Sequence, residues 1–306
     1  MKIRTLLNLV LITLVLGAFS WWMGQQAYGW LPPQAAESAI LVDQLFSLLT
    51  AIATFVVVGV VGTMTYTVLF KRAGKYDFSD GPHIEGNVTL EVVWTAIPFL
   101  TVLFIAFYSY QIYQDIGLEG PGHNHSLGMA TAEAAAITSD EVPPTQIQVL
   151  SRQWAWEFRY PEANVSSTEL HLPNNQRIEL TLQSEDVIHG LYIPAFRLKQ
   201  DIIPNREMSI ELTPIQEGRF RLRDSEYSGT YFAAMQTDVV VESPEAFQKW
   251  LDHAAQISPQ PAYNQAFSEF QKATEKPLGT GWATLKPAEP PVVNVASPPP
   301  AKTPAS

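Results

Sequence analysis

Polar and apolar positions divide this chain into two regimes. Behind the basic start Met1-Lys2-Ile3-Arg4, residues 5–23 are almost wholly apolar, and residues 44–70 and 92–114 form two further runs without a charged side chain. Each of those two exceeds the roughly 20 residues needed to cross a bilayer as a helix. The first run has the start and body of a signal peptide, but its length and the lack of a clear small-x-small cleavage site favour an uncleaved anchor. Trp21, Trp22 and Trp30 fall where its far end meets the membrane interface, a level at which amphipathic rings collect.

Between the second and third runs lies Lys71-Arg72-Ala73-Gly74-Lys75. Basic residues in short loops mark the cytoplasmic side, so this loop is predicted inside and everything after Gln114 outside. Three spans result, or two if the first is removed.

Beyond residue 145 the period changes to two. Polar and apolar residues alternate in Arg177-Ile178-Glu179-Leu180-Thr181-Leu182 and in Met208-Ser209-Ile210-Glu211-Leu212, as half-buried strands require. Residues 147–158, 218–222 and 237–241 read as further strands. Separated by Pro, Asn and Gly turns with no helical period, they predict an antiparallel sandwich of about 100 residues. Ser243 and Pro244 open a helix, with Phe247, Trp250, Leu251 and Ala254 on one face. A weaker helical stretch covers 262–272. The predicted plan is therefore an N-terminal anchor with an outer loop (1–40), a transmembrane hairpin (41–115), a linker (116–145), a β-domain (146–242), a helical segment (243–285) and a disordered Pro-rich tail (286–306).

Charge narrows the partners. The 306 residues carry a net charge of −11, mostly from residues after 130, which argues against nucleic acid or an anionic membrane surface as partner of the outer part. The chain has no Cys, so disulfides and thiolate ligands are excluded. His123 and His125 form a His-x-His in the linker, where two imidazoles without a third ligand make a poor metal site and read as a solvated loop.

Two segments carry the candidate chemistry. Residues 186–206, Asp-Val-Ile-His-Gly-Leu-Tyr-Ile-Pro-Ala-Phe-Arg-Leu-Lys-Gln-Asp-Ile-Ile-Pro-Asn-Arg, and residues 224–235, Asp-Ser-Glu-Tyr-Ser-Gly-Thr-Tyr-Phe-Ala-Ala-Met, together resemble the extramembrane domain of subunit II of the haem-copper terminal oxidases. The resemblance implies a cupredoxin-like sandwich in which the two segments meet at one end. In the cytochrome c oxidases of that family these segments hold a binuclear copper centre, and soft thiolate bridges are what such a centre needs. His189 and Met235 match two ligands, while the two Cys positions fall on Asp224 and Ser228, the second His on Phe232 and the backbone-carbonyl position on Glu226. Tyr227-Ser228-Gly229 with Phe232 and Met235 is similar to the quinol oxidase type, which lacks the copper. From the residues alone, His189 reads as a buried hydrogen-bonded histidine and Met235 as core filler.

Further expectations follow from the resemblance. Gln153-Trp154-Ala155-Trp156 is similar to the aromatic segment where a Trp receives the electron, and Trp154 is the matching residue; without an acceptor behind it, packing and contact with subunit I are expected instead. Glu226 falls beside a carboxylate position that helps hold magnesium at the subunit I interface, and a surface or salt-bridged Glu is its other reading. Glu91, Trp94, Thr95 and Pro98 stand on one helical face and resemble the subunit II hairpin, which makes Glu91 a candidate for proton entry; as an acid in a first turn it equally serves the helix dipole. The chain is thus expected to be a non-redox subunit of a proton-translocating quinol oxidase, in a membrane with subunits I and III, with haem and copper in subunit I. A cytochrome c oxidase with electron entry through Trp154, and a non-catalytic assembly or binding protein on the same fold, are the competing readings.

Overall fold

The computed structural model describes residues 3–72, 74, 76, 86–116, 143–275 and 285–297. His123, His125 and most of the linker lie outside the described residues, as do Ala73 and Lys75 of the basic loop. The chain divides into two units, Met1–Pro32 with Leu41–Asp115 and Pro33–Ile40 with Ile116–Ser306.

The first unit is helical because its sequence is apolar on all sides. Three helices, α1 (Ile3–Ala27), α2 (Glu37–Phe70) and α3 (Val88–Ile116), are long and apolar enough to cross a membrane. Small residues bring α1 and α2 together: Ser47 Oγ donates to the Gly24 carbonyl at 2.9 Å, and a Cβ on Gly24 would stand 2.9 Å from the Ser47 carbonyl oxygen. The hydroxyls of Thr54, Thr63, Thr67 and Thr101 donate to carbonyls four residues back, which spares them an unpaired state in hydrocarbon. At the start of α3, Asn87 Oδ1 accepts from Leu90 N at 3.2 Å and caps the helix.

The second unit is a sandwich of two five-stranded sheets. One has the order β3-β2-β1-β5-β8, built from β1 (Thr145–Arg152), β2 (Ala155–Tyr160), β3 (Val165–Ser167), β5 (Ile178–Ser184) and β8 (Met208–Leu212). The other has the order β4-β10-β9-β6-β7, from β4 (Leu170–Pro173), β6 (His189–Ile193), β7 (Leu198–Ile202), β9 (Gly218–Asp224) and β10 (Gln236–Glu242). Ile147, Val149, Phe158, Leu180 and Leu182 face Leu170, Leu191, Ile193, Leu222 and Val239 in one core. Alternation in β5 buries Ile178, Leu180 and Leu182, as its sequence requires.

Five expectations are corrected. The sheets are mixed: β1 pairs parallel with β5 and β4 parallel with β10, because crossovers between the layers bring distant strands side by side. Residues 147–158 are two strands, reversed at Gln153–Trp154 with Arg152 opposite Ala155. The stretch expected as a helix from 262 is α5 (Gln265–Glu275), since Asn264 Oδ1 accepts from Phe267 N at 2.8 Å as the cap and Ala262 N donates to the Pro291 carbonyl instead. The Pro-rich tail expected to be disordered from 286 is held through 297: β12 (Val292–Val293) pairs with β11 (Gln260–Pro261), and Asn294 Oδ1 accepts from Ser166 N at 2.9 Å. There, backbone pairing to the edge of β3 and the burial of Val293 together supply the order.

The outer loop assigned to residues 1–40 also has a different end. Pro33–Ile40 belongs to the sandwich, with Ala35 N donating to the Ala195 carbonyl at 3.0 Å, Ile215 N to the Ala35 carbonyl at 2.9 Å and Glu37 N to the Thr213 carbonyl at 3.1 Å. After β10, α4 (Pro244–Ala254) starts at Ser243, whose Oγ accepts from Ala246 N at 3.3 Å, and buries Phe247, Leu251 and Ala254.

Candidate functional site

His189 opens β6 and Asp224 closes β9, which pairs antiparallel with β6 with Leu191 opposite Asp224. The pairing places both polar side chains at one end of the sandwich. Beyond Asp224 the chain loops out and returns, with Asp224 N donating to the Met235 carbonyl at 2.9 Å. The loop closes tightly over β6, since a Cβ on Gly190 would collide with the Ser225 side chain and stand 3.1 Å from Glu226 N.

A chain of hydrogen bonds fills this end. The Asp224 carboxylate, whose side chain is fully buried, takes His189 Nδ1 at 2.7 Å and Ser228 Oγ at 2.8 Å on one oxygen. Its other oxygen accepts from Gly190 N at 2.7 Å and Glu226 N at 3.0 Å. On the far side of the ring, His189 Nε2 meets Asp186 Oδ1 at 3.0 Å, and Asp186 also accepts from Val187 N and Gln153 N. Gln153 Nε2 returns to the Ser228 carbonyl at 2.5 Å. A buried carboxylate is costly unless paired and hydrogen-bonded, and Asp224 has four donors.

An imidazole with a carboxylate at each nitrogen satisfies both only as the imidazolium, which donates twice. Burial opposes the charged ring, but the bonds to Asp186 and Asp224 outweigh it and hold the His189 pKa above its ordinary 6.5. Burial likewise pushes the Asp186 pKa up, yet its bonds to His189, Gln153 N and Val187 N hold it below the ordinary 3.8. The site is a carboxylate–imidazolium–carboxylate lock.

The structure brings His189, Asp224, Ser228 and the Glu226 backbone together. Met235 is buried beside them, and its carbonyl accepts from Trp156 Nε1 at 3.3 Å. Phe232 packs instead on exposed Tyr227, ring centroids 5.2 Å apart. The Glu226 side chain turns outward, with Oε1 2.9 Å from Lys199 Nζ. Trp154 is 2% exposed; its ring meets Tyr231 edge-on at 5.2 Å and leaves no room for a side chain on Gly229. Glu91 is exposed in the first turn of α3.

These residues do not fit a binuclear copper centre. The two bridging positions carry hard oxygen groups already engaged with each other, Phe232 has no donor atom, and both nitrogens of His189 are taken. Thiolate bridges have no replacement in this set. Among the described residues, no group of three or more His, Asp or Glu side chains is arranged to hold a metal ion. Asp186 and Gln153 were missed as members of the site; the Asp-x-x-His spacing was visible, but nothing in the sequence joined Gln153 to Ser228 across 75 residues.

Apolar helices long enough to cross a membrane, followed by a cupredoxin-like sandwich with His189 held between two carboxylates at one end, define the class of this protein. The family profile of the cytochrome c oxidase subunit II transmembrane domain matches residues 20–112, and that of the periplasmic domain matches residues 163–243. Cytochrome c oxidase subunit 2 of Synechocystis sp. is 34% identical over 300 residues, covering 90% of this chain and 89% of the relative. Quinol oxidase subunit 2 of Bacillus subtilis is 27% identical, covering 66% of this chain and 60% of the relative. The solved periplasmic domain of subunit II of cytochrome oxidase from Bradyrhizobium japonicum is 26% identical, with a TM-score of 0.35, and covers 38% of this chain and 98% of that one.

The chain belongs to the cytochrome c oxidase subunit II family. It is a subunit of a haem-copper terminal oxidase, an oxidoreductase complex, and a partner subunit I is implied. It is integral to the membrane through apolar helices, with the sandwich on the outer side.

Proposed function

We propose that this subunit serves an oxidase of the quinol type, in which electrons reach the haem and copper of subunit I without passing through a metal in this chain. One observation carries the reading: the Asp224 carboxylate fills a bridging position and binds His189 and Ser228, so the frame that would hold a soft metal holds an imidazolium instead. The subunit's own work is then to dock on subunit I, with subunit III and lipid completing the surroundings, and to admit protons at Glu91.

A second reading has specific support. Cytochrome c oxidase subunit 2 proteins of Synechocystis sp. and Thermostichus vulcanus are 34% and 35% identical to this chain, above the 27% of the Bacillus quinol oxidase subunit. A cytochrome c donor would have to pass electrons by way of Trp154, and burial of that ring weighs against it.

The purified complex separates the two readings. Oxygen uptake sustained by a soluble quinol in the absence of any cytochrome c is the expected result. Activity with reduced cytochrome c and none with quinol would overturn the quinol reading in favour of the second.

A further inference from the structure

The sandwich buries a second histidine. His171 lies in β4, 6% exposed, at a seam where β2, β10 and α4 meet. Tyr160 Oη accepts from His171 N at 2.7 Å and donates to the His171 carbonyl at 3.0 Å, fixing the backbone. The imidazole lies flat on Trp250 of α4, ring centroids 3.9 Å apart with 8° between planes. Its Nδ1 is 3.1 Å from Glu242 Oε2. Its Nε2 is buried without a hydrogen bond and points toward Glu169 Oε2 at 3.6 Å.

Glu169 flanks β4, Glu242 ends β10, Tyr160 ends β2 and Trp250 comes from α4. Behind Glu169, Arg219 of β9 donates to its Oε1 at 2.6 Å and is shared with Asp238 of β10 at 3.3 Å. Glu169 and Glu242 against Arg219 leave one uncompensated negative charge around the ring, before Asp238 is counted.

We propose that His171 is a proton-binding site through which acidity on the outer side fastens α4 to the sandwich. While Nδ1–H donates to Glu242, an unprotonated Nε2 turns its lone pair toward a carboxylate, and the two repel. A proton there converts that face into a donor toward Glu169, neutralises the excess charge and lays a cation on the Trp250 ring, an attractive arrangement. The His171 ring beside it is the chief cause that holds the Glu169 pKa below its ordinary 4.5; burial opposes and Arg219 assists. The Arg219 guanidinium, 2.6 Å from Oε1, is the partner that Glu169 keeps when the ring loses its proton. Loss of that proton removes attraction from Trp250, one of the few large side chains by which α4 is anchored. The inference holds whichever donor feeds the oxidase.

Hydrogen–deuterium exchange on the purified complex, corrected for the intrinsic pH dependence of exchange, tests it. Protection of α4 amides should rise as pH falls, by up to about tenfold per pH unit, the limit for one proton. Protection in α5 should not follow, which provides an internal control. His171→Gln should abolish the slope. Glu169→Gln, which keeps the ring in place, should flatten it, and it serves as the test if the His171→Gln chain fails to assemble. A flat response in the unaltered complex overturns the proposal, as does an unchanged slope in either variant.

Discussion

Gly229 lies so close to Trp154 that a Cβ on it would stand 2.7 Å from Trp154 Cζ2, and its φ of +119° is one that L side chains rarely adopt. Clash and backbone strain coincide at one residue. Gly229→Ala should destabilise the sandwich by about 1–3 kcal/mol, read as a lowered unfolding midpoint of the purified chain. An unchanged midpoint would mean that the loop relaxes freely and that the packing on Trp154 is not tight.

Copper added to the full chain should produce neither purple colour nor a mixed-valence signal. Restoring both thiols and the imidazole, as Asp224→Cys with Ser228→Cys and Phe232→His, should recover binding, because β6, β9 and the Met235 carbonyl keep the loop closed without the lock. Copper spectra of the two proteins, recorded side by side, decide the matter.

The lock should also give stability a defined pH window. A pKa raised in the folded state makes the His189 contribution complete below the ordinary 6.5 and lost as pH rises through the folded value. Asp186 has the opposite sign: its contribution is complete above the ordinary 3.8 and lost as pH falls through the lowered folded value. The difference in unfolding temperature between the natural chain and His189→Gln should therefore shrink on the alkaline side. A difference independent of pH would show that the ring is held by packing alone.

Glu91 offers a separation of roles. As a first-turn acid alone it is worth about 0.3–1 kcal/mol to α3, and Glu91→Ala would leave turnover intact. As a proton entrance, the same substitution should slow steady-state oxygen reduction while haem content and assembly stay normal, with Glu91→Asp restoring part of the rate. The second outcome is expected, because a carboxylate at the edge of an apolar span is costly without a role.

Magnesium at Glu226 can be tested by metal content. The Lys199 ammonium on Oε1 competes with any cation there, so a magnesium ion would need the second oxygen together with groups from subunit I. Glu226→Ala should lower bound magnesium and alter the signal of substituted manganese in the complex. Unaltered content and signal leave Glu226 as the partner of Lys199.

The three apolar helices, the alternation in β5 and β8 and the Ser243 cap were all legible, because each depends on side chains within a few residues of one another. The reversal at Gln153–Trp154 was not, since it contains no Gly, Pro or Asn to signal a turn. The parallel pairing of β1 with β5 and of β4 with β10 depends on crossovers, which alternation does not record. At the site, the positions of His189, Asp224 and Ser228 followed from two short segments, but their joining into one ionic chain with Asp186 and Gln153 needed the register of β6 on β9. The hold on residues 285–297 was hidden for a related reason: it joins backbone pairing and Asn294 to the burial of Val293 and the packing of Val295, and two valines in a Pro-rich stretch show no period.

The eight residues Pro33–Ile40 carry a consequence for how the outer domain is made. Ala35 and Ala36 are fully buried in the sandwich core, although more than 100 residues separate them from its first strand. A soluble fragment cut after α3 would lack this strip, and the Ala195 and Thr213 carbonyls and Ile215 N would lose their partners. The smallest piece that folds faithfully should be a fusion, with 33–40 joined by a linker to residues 143–297. During synthesis the strip leaves the ribosome long before the strands that receive it, so completion of the sandwich waits until both chain crossings that follow the strip have been made.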